Sequence, residues 1–150
     1  PRGSIRSSSL YDHDFYAWTT EQAGRLRAGK LSEADLEHIA EEIESMGKSE
    51  KRELISRLTV LLLHLLKWEF QPMRRGASWR LSIANTRDAL TDHLADNPSL
   101  RSVLEASVET AYRRAHRDAA LETGLSENTF PSTCPWLFSQ MMDENFWPES

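Results

Sequence analysis

The chain has 150 residues, 39% hydrophobic and 27% charged, which fits one globular domain with its own core and excludes a low-complexity chain. A net charge of −5 at pH 7 disfavours general nucleic-acid binding, and the longest nearly apolar run, 58–66, is too short to span a membrane. The single cysteine, Cys134, excludes an intramolecular disulfide, so we expect a cytoplasmic protein.

The beginning of the chain is predicted to lie outside the folded domain. Its first four residues, Pro1-Arg2-Gly3-Ser4, resemble the remnant of an expression tag, and no apolar stretch resembling a signal peptide follows them. We therefore expect residues 1–9 to be a tag remnant and disordered N-terminus, and residues 10–150 to form a single helical-bundle domain.

A first helix is predicted to begin near Asp12 or Asp14, because either side chain can cap the free N–H groups of a first turn. Phe15 and Trp18 recur at helical spacing, and we expect both to face inward. Gly29 is predicted to end this helix, since glycine readily adopts the left-handed backbone conformation that follows a helix.

A long second helix is predicted between Ser32, which would cap it with Asp35 as the capping-box acid, and Pro72. We expect it to continue through Gly47 rather than break there. It carries one apolar stripe before Gly47 and a heptad-like seam after it: Leu36, Ile39, Ala40, Ile43 and Met46, then Leu54, Leu58, Leu61, Leu65 and Trp68. Further leucines make the second part apolar nearly all round, so we predict that it is the central helix of the bundle.

Two more helices are predicted after Pro72. The third runs from Trp79 to about Ala95, and Asn97-Pro98 is a turn signal. The fourth begins at a Ser99 cap and extends to about Thr123, with alanines on its inward face. Gly124 is predicted to end it.

The C-terminal tail is too apolar to be free in solution. Pro135 suits the first position of a short helix from about Trp136 to Asp143. We expect the tail to pack back over the bundle as an aromatic cap, through Trp136, Leu137, Phe138, Met141, Phe146 and Trp147. The predicted fold class is therefore all-α, a bundle of four to five helices with a long central helix and an aromatic C-terminal cap.

Several short motifs occur together along the chain: Phe15-Tyr16-Ala17-Trp18, Asp35-Leu36-Glu37-His38-Ile39-Ala40-Glu41-Glu42-Ile43-Glu44, His64-Leu65-Leu66-Lys67-Trp68, Ser78-Trp79-Arg80, Thr133-Cys134-Pro135-Trp136 and Phe146-Trp147-Pro148. Through them the chain resembles the bacterial family called domain of unknown function 29, over about residues 11–149. The resemblance implies an all-helical bacterial domain. It implies no activity and no catalytic residue.

His38, Glu41 and Glu42 are candidate metal ligands, because on a helix the histidine lies one turn from both carboxylates. Carboxylate-bridged metal bundles repeat a Glu-x-x-His motif, whereas here the order is His-x-x-Glu and it occurs once. The alternative interpretation is a solvated acidic face near a helix N-terminus, where the helix dipole favours carboxylates.

A second set of residues, around the end of the central helix, is predicted to form an interaction site or a buried polar site: His64, Lys67, Arg74, Arg75, Trp79 and Arg80. A histidine within a leucine run needs a hydrogen-bond partner when buried. The arginines with an interleaved tryptophan could contact phosphate or an acidic partner, or pair with acids of the same chain.

Arg87 and His93 match the loose Arg-then-His spacing found on a helix in one class of helical bacterial ribonucleases. With many arginines in a helical chain, such spacing also arises by chance. The alternative is a pair of ordinary structural side chains.

The sequence is compatible with two classes of function. The first is a non-catalytic protein-interaction or regulatory module with a protein partner or a second copy of itself. The second is a small helical enzyme or metal-binding protein, built around His38, Glu41 and Glu42 or around Arg87 and His93. No cofactor and no membrane partner are predicted, and nucleic acid is disfavoured as a partner.

Overall fold

A computed structural model describes residues 10–149, so the predicted tag remnant and disordered segment, 1–9, lies outside the described residues. Within them, a helical stretch at 10–13 is followed by helices α1 (Phe15–Arg27), α2 (Leu36–Phe70), α3 (Ala77–Asp96), α4 (Leu104–Thr123) and α5 (Phe138–Met142). Short 3-10 helices connect them: Leu31–Glu33, Pro72–Arg74, Pro98–Val103 and Glu127–Thr129. Residues 10–149 contain no strand, so the predicted all-α class is confirmed.

The chain divides into two compact units, Pro1–Ser49 and Glu50–Ser150. In the described part of the first unit, Asp14 caps α1 by accepting a hydrogen bond from the Ala17 N–H at 3.0 Å. Gly29 follows the helix with φ 73°, and the next N–H, of Lys30, reaches the carbonyl of Arg25 at 2.9 Å. Both predicted ends of the first helix are therefore confirmed.

Two details of the first unit differ from expectation. Trp18 is buried as predicted, but Phe15 is 47% exposed. Phe15 lies on the same helical face as Trp18 and Gln22, but it is the first residue of α1, where that face is only partly covered. The second helix begins at Leu36 rather than after Ser32, which lies in a 3-10 helix. Ala34 is extended between them, so the helix can begin only after that residue.

Helix α2 is continuous through Gly47, as expected. In the second unit its leucine-rich part forms the core, and the following side chains are fully buried: Leu54, Leu58, Leu61, Leu62, Leu65 and Leu66. Ile83 and Leu90 of α3 belong to the same cluster, as do Ala111 and Ala115 of α4. The predicted central helix is therefore confirmed.

Helix α4 begins at Leu104 rather than at Ser99. The preceding residues form a 3-10 helix from Pro98, in which the Leu100 N–H bonds the carbonyl of Asn97, three residues earlier, at 3.0 Å. Gly124 ends α4 as predicted, with φ 75°. None of the helices in the described range combines the length and apolar character needed to cross a membrane.

The aromatic C-terminal segment packs on the second unit, and the Trp147 ring lies 4.7 Å from the ring of Trp68. The predicted short helix begins only at Phe138, so Pro135 is not its first residue. Leu137 is 70% exposed instead of packed, because it occupies the extended N-cap position and turns its side chain outward.

Candidate functional site

The first part of α2 presents an apolar row to solvent. Leu36, Ile43 and Met46 are 56%, 63% and 66% exposed. Because an α-helix turns about 100° per residue, spacings of seven and three residues place these side chains on one face. We call these three residues the exposed stripe; Ile39, on the same face, is half-buried.

The face of the same helical segment that lies away from the stripe is acidic. Glu37, Glu41 and Glu44 are exposed, and a rotation of about 100° per residue places them together on the side of the helix turned away from the stripe. In this part of the helix Lys48 is the basic side chain on that face. The surface around the stripe therefore carries mainly negative charge, but these carboxylates do not border the stripe.

The side of the stripe that carries His38 and Glu42 is occupied by contacts within the first unit. His38 stacks on Tyr11 with ring centroids 4.2 Å apart, and its Nδ1 lies 2.6 Å from Oδ2 of Asp35. The same oxygen accepts from the Trp18 indole at 3.4 Å. The hydrogen bond to Asp35 raises the pKa of His38, and the nearby carboxylate charge acts in the same direction.

The candidate metal ligands of this segment have separate surroundings. His38 pairs with Asp35, Glu42 accepts a hydrogen bond from the Tyr11 hydroxyl, and Glu41 is exposed. Among the described residues, the ligand atoms of these three side chains do not form a group close enough to hold one metal ion. The arrangement stabilises the contact between α2 and the residues around α1.

The predicted polar site at the end of α2 is held largely by contacts within the chain. The His64 ring lies 2.8 Å from the carbonyl of Val60, to which Nδ1 donates, and burial lowers its pKa. The Lys67 ammonium lies 3.5 Å from a Glu122 carboxylate oxygen and 5.1 Å from the Trp79 ring centroid.

The three arginines that were predicted for this polar site lie mainly around Trp68. The guanidinium groups of Arg75 and Arg80 lie 5.2 and 5.4 Å from its ring centroid, and Arg75 Nε donates to the Trp68 carbonyl at 2.6 Å. Arg74 is exposed in the 3-10 helix that follows α2. Two of the three arginines thus contribute to packing, and Arg74 faces solvent.

Arg87 and His93, the ribonuclease-like pair, contact different parts of the structure. Arg87 is buried and donates to the carbonyls of Met141 and Phe146, at 2.7 and 2.8 Å. His93 lies in the last turn of α3, beside Glu50 and Glu53. The Arg87 side chain therefore binds the C-terminal segment through both of these hydrogen bonds.

Glu50, Glu53 and His93 form a cluster that was not predicted from the sequence, where His93 was a candidate only as the partner of Arg87. Their ligand atoms all lie within 4.8 Å of one another, at a cleft of about 470 Å³. Arg57 holds the other oxygen of Glu53 at 2.7 Å, and this hydrogen bond keeps the pKa of Glu53 below its usual value. The sequence signal was the Glu-x-x-Glu spacing on a helix, but only the packing of α3 brings a histidine to it.

Comparisons with known proteins place the chain in a family without assigning an activity. No curated protein and no solved structure shows significant similarity to it. A family model described as Domain of unknown function DUF29 matches residues 10–147, which is nearly the whole chain. The all-helical fold and the extent of this match agree with the resemblance carried by the sequence motifs, and the chain belongs to the DUF29 family.

Proposed function

We propose that this protein is a non-catalytic interaction module that binds a basic amphipathic helix of a partner protein along the exposed stripe. The observation that supports this most directly is the row formed by Leu36, Ile43 and Met46 on one exposed helix face. Single exposed aliphatic side chains are ordinary on protein surfaces. A row of them on one helical face is the kind of surface that a partner covers.

The spacing of the row favours a helix as the occupant. With half-buried Ile39 included, the apolar positions follow each other at three, four and three residues, which is the seam that paired helices bury. Ala40 and Gly47 lie next to the seam, and their small side chains leave room for a close approach. Recognition of an amphipathic helix through such anchors is a common mode of protein binding.

Charge favours a basic partner over a second copy of the chain through the same surface. Glu37, Glu41 and Glu44 give the exposed surface of this helical segment a negative charge, with Lys48 as the opposing charge. Lysine or arginine on the partner's flanks would complement these carboxylates and speed association. Two copies meeting stripe to stripe would bring like charges together, so a homodimer is the alternative outcome of the test.

The test uses a synthetic helical peptide of about three heptads, with leucines at the seam positions and lysines on both flanks. Its binding to the full chain is followed by fluorescence anisotropy. We expect saturable binding that is weakened at least tenfold in the double variant Ile43→Gln/Met46→Gln. Binding should also weaken as salt increases, because the flanking charges are exposed.

Two controls make this experiment specific. The variant Leu121→Gln changes an aliphatic side chain that is 76% exposed on α4, and it should bind the peptide like the wild type. A peptide with glutamates in place of the flanking lysines should bind more weakly. Equal binding by wild type and the double variant would contradict the proposal, as would a concentration-dependent dimer that the double variant abolishes.

We also propose a cytoplasmic location, because the one cysteine of the sequence, Cys134, is a free thiol that a reducing compartment would preserve. Immunoblotting of fractionated cells would test this, with recovery in the soluble cytoplasmic fraction expected. Recovery in an exported fraction would contradict it.

A further inference from the structure

The cleft between α2 and α3 in the second unit contains a preorganised group of metal-ligating atoms. Glu50 and Glu53 lie one turn apart on α2, and His93 lies in the last turn of α3. The Nδ1 atom of His93 is 3.6 Å from Oε2 of Glu50 and 3.4 Å from Oε2 of Glu53. Two helices that belong to the same core therefore fix the three side chains.

The orientation of the His93 ring is determined by its other nitrogen. Nε2 lies 2.9 Å from the backbone carbonyl of Glu50. A carbonyl only accepts hydrogen bonds, so Nε2 carries the proton and, in the neutral ring, Nδ1 presents its lone pair. A histidine that donates one ring N–H to a carbonyl and offers the other nitrogen is the usual arrangement around a bound metal.

The lone pair of His93, whose side chain is buried, is directed at two carboxylates that are partly exposed to solvent. The side chain is 7% exposed, and no hydrogen-bond donor among the described residues reaches Nδ1. Its neighbours are the oxygens of two carboxylates, which accept and do not donate when ionised. An imidazole lone pair and two carboxylate oxygens thus converge on one position, which is a donor set that binds a metal ion.

The distances favour a metal ion. A charge-assisted hydrogen bond from nitrogen to a carboxylate is normally about 2.7–2.9 Å long, which is shorter than both separations from Nδ1. Around Zn²⁺ with bonds of about 2.1 Å, two ligands of a tetrahedron lie about 3.4 Å apart. The observed 3.4 and 3.6 Å match that spacing.

The surroundings complete a site for a cation. Arg57 binds Oε1 of Glu53 and leaves Oε2 for the cluster, while the Asn97 amide lies 3.4 Å from Oε2 of Glu50. Asp92 and Asp96 line the same cleft and add negative charge. Because the cleft opens to solvent, water could supply the remaining coordination position.

We propose that Glu50, Glu53 and His93 bind one divalent transition-metal ion, of the class that imidazole and carboxylate ligands select, such as Zn²⁺. This site is separate from the exposed stripe and does not depend on the function proposed for it. It would stabilise the packing of α2 against α3, because the ligands come from both helices.

The test is calorimetric titration of the full chain with ZnCl₂ after treatment with a chelator, together with the visible spectrum of the Co²⁺-loaded protein. We expect one ion per chain, an increase in melting temperature on binding, and Co²⁺ absorption bands that indicate nitrogen and oxygen ligands in a low-symmetry site. Mg²⁺ in excess should not displace Zn²⁺, since Mg²⁺ prefers an all-oxygen octahedral site.

Matched variants separate a specific site from general attraction to an acidic cleft. Glu50→Gln removes a ligand and His93→Gln removes the imidazole, so each should weaken Zn²⁺ binding at least tenfold. Asp96→Asn removes the same charge from the same cleft without removing a proposed ligand, and it should bind nearly as the wild type. Since the Glu50 side chain is 44% exposed, Glu50→Gln is expected to fold even if His93→Gln does not.

Absence of stoichiometric Zn²⁺ binding by the wild type would overturn the proposal. Equal weakening by Glu50→Gln and Asp96→Asn would also overturn it. The variant Ile43→Gln/Met46→Gln should retain full Zn²⁺ binding, which distinguishes a failure at this site from a failure at the exposed stripe.

Discussion

The Nε atom of Arg87 donates a hydrogen bond to the backbone carbonyl of Met141 at 2.7 Å, across 54 residues of sequence. The same guanidinium donates to the carbonyl of Phe146 at 2.8 Å and lies 5.4 Å from the ring centroid of Trp147. One buried side chain on α3 therefore fixes most of the aromatic C-terminal segment.

We predict that Arg87→Ala destabilises the second unit by about 2–4 kcal/mol, because one buried and one partly buried carbonyl lose their donor and the C-terminal segment loses its anchor. Urea unfolding monitored by tryptophan fluorescence measures this. Arg74→Ala, at an exposed position, serves as the control and should change stability by less than about 0.5 kcal/mol. Similar effects of the two substitutions would show that Arg87 does not hold the segment.

The same substitution at two glycines should have opposite effects. Gly47 lies inside α2 with open space where an alanine Cβ would project, so Gly47→Ala should stabilise the helix by about 0.5–1 kcal/mol. Gly124 has φ 75°, so Gly124→Ala should destabilise by about 1–2 kcal/mol. Circular dichroism during thermal melting compares the two variants, and a destabilising Gly47→Ala would argue against a regular helix at that position.

The pair of His38 and Asp35 makes the stability of the first unit pH-dependent. Because the pKa of His38 is raised in the folded state, its contribution is complete below the ordinary histidine pKa of about 6.5. It is lost as the pH rises through the raised folded-state pKa. We expect Asp35→Asn to lower the pKa of His38, measured by NMR titration, whereas Glu37→Gln should leave it nearly unchanged. An unaltered His38 pKa in Asp35→Asn would rule out the pair as the cause.

The central position of α2 predicts a large effect of removing one buried leucine. Leu61 is fully buried, so Leu61→Ala should destabilise by about 2–5 kcal/mol. Its neighbour Val60 is 42% exposed, and Val60→Ala should cost less than about 1 kcal/mol. Equal shifts of the two urea midpoints would contradict the burial assigned to this face of the helix.

The central helix and the ends of α1 and α4 could be predicted from the sequence because their signals are local. The Leu54-to-Trp68 seam specifies one face by spacing alone, and Gly29 and Gly124 occupy positions that require positive φ. The exposed position of Phe15 could not be predicted in this way. Helical spacing assigns residues to a face, but only tertiary packing decides how much of that face is covered.

Polar contacts between residues that are far apart in the sequence could not be predicted from sequence patterns. Glu50 and His93 meet through the register of two packed helices, and nothing in their separation along the chain indicates it. Arg87 matched a ribonuclease-like spacing, yet its partners are main-chain carbonyls, which have no sequence signature. The aromatic composition of the tail predicted that the tail packs on the bundle. The exposure of Leu137 could not be predicted, because it follows from the extended backbone of that residue just before α5.

The most direct test of the proposed function is a methyl NMR titration of the full chain with the lysine-flanked helical peptide. We predict that the methyl resonances of Leu36, Ile43 and Met46 shift together and saturably, while those of Leu121 on α4 remain unchanged. Shifts confined to other methyl groups, or no saturable shift of the Ile43 and Met46 signals, would contradict the proposal.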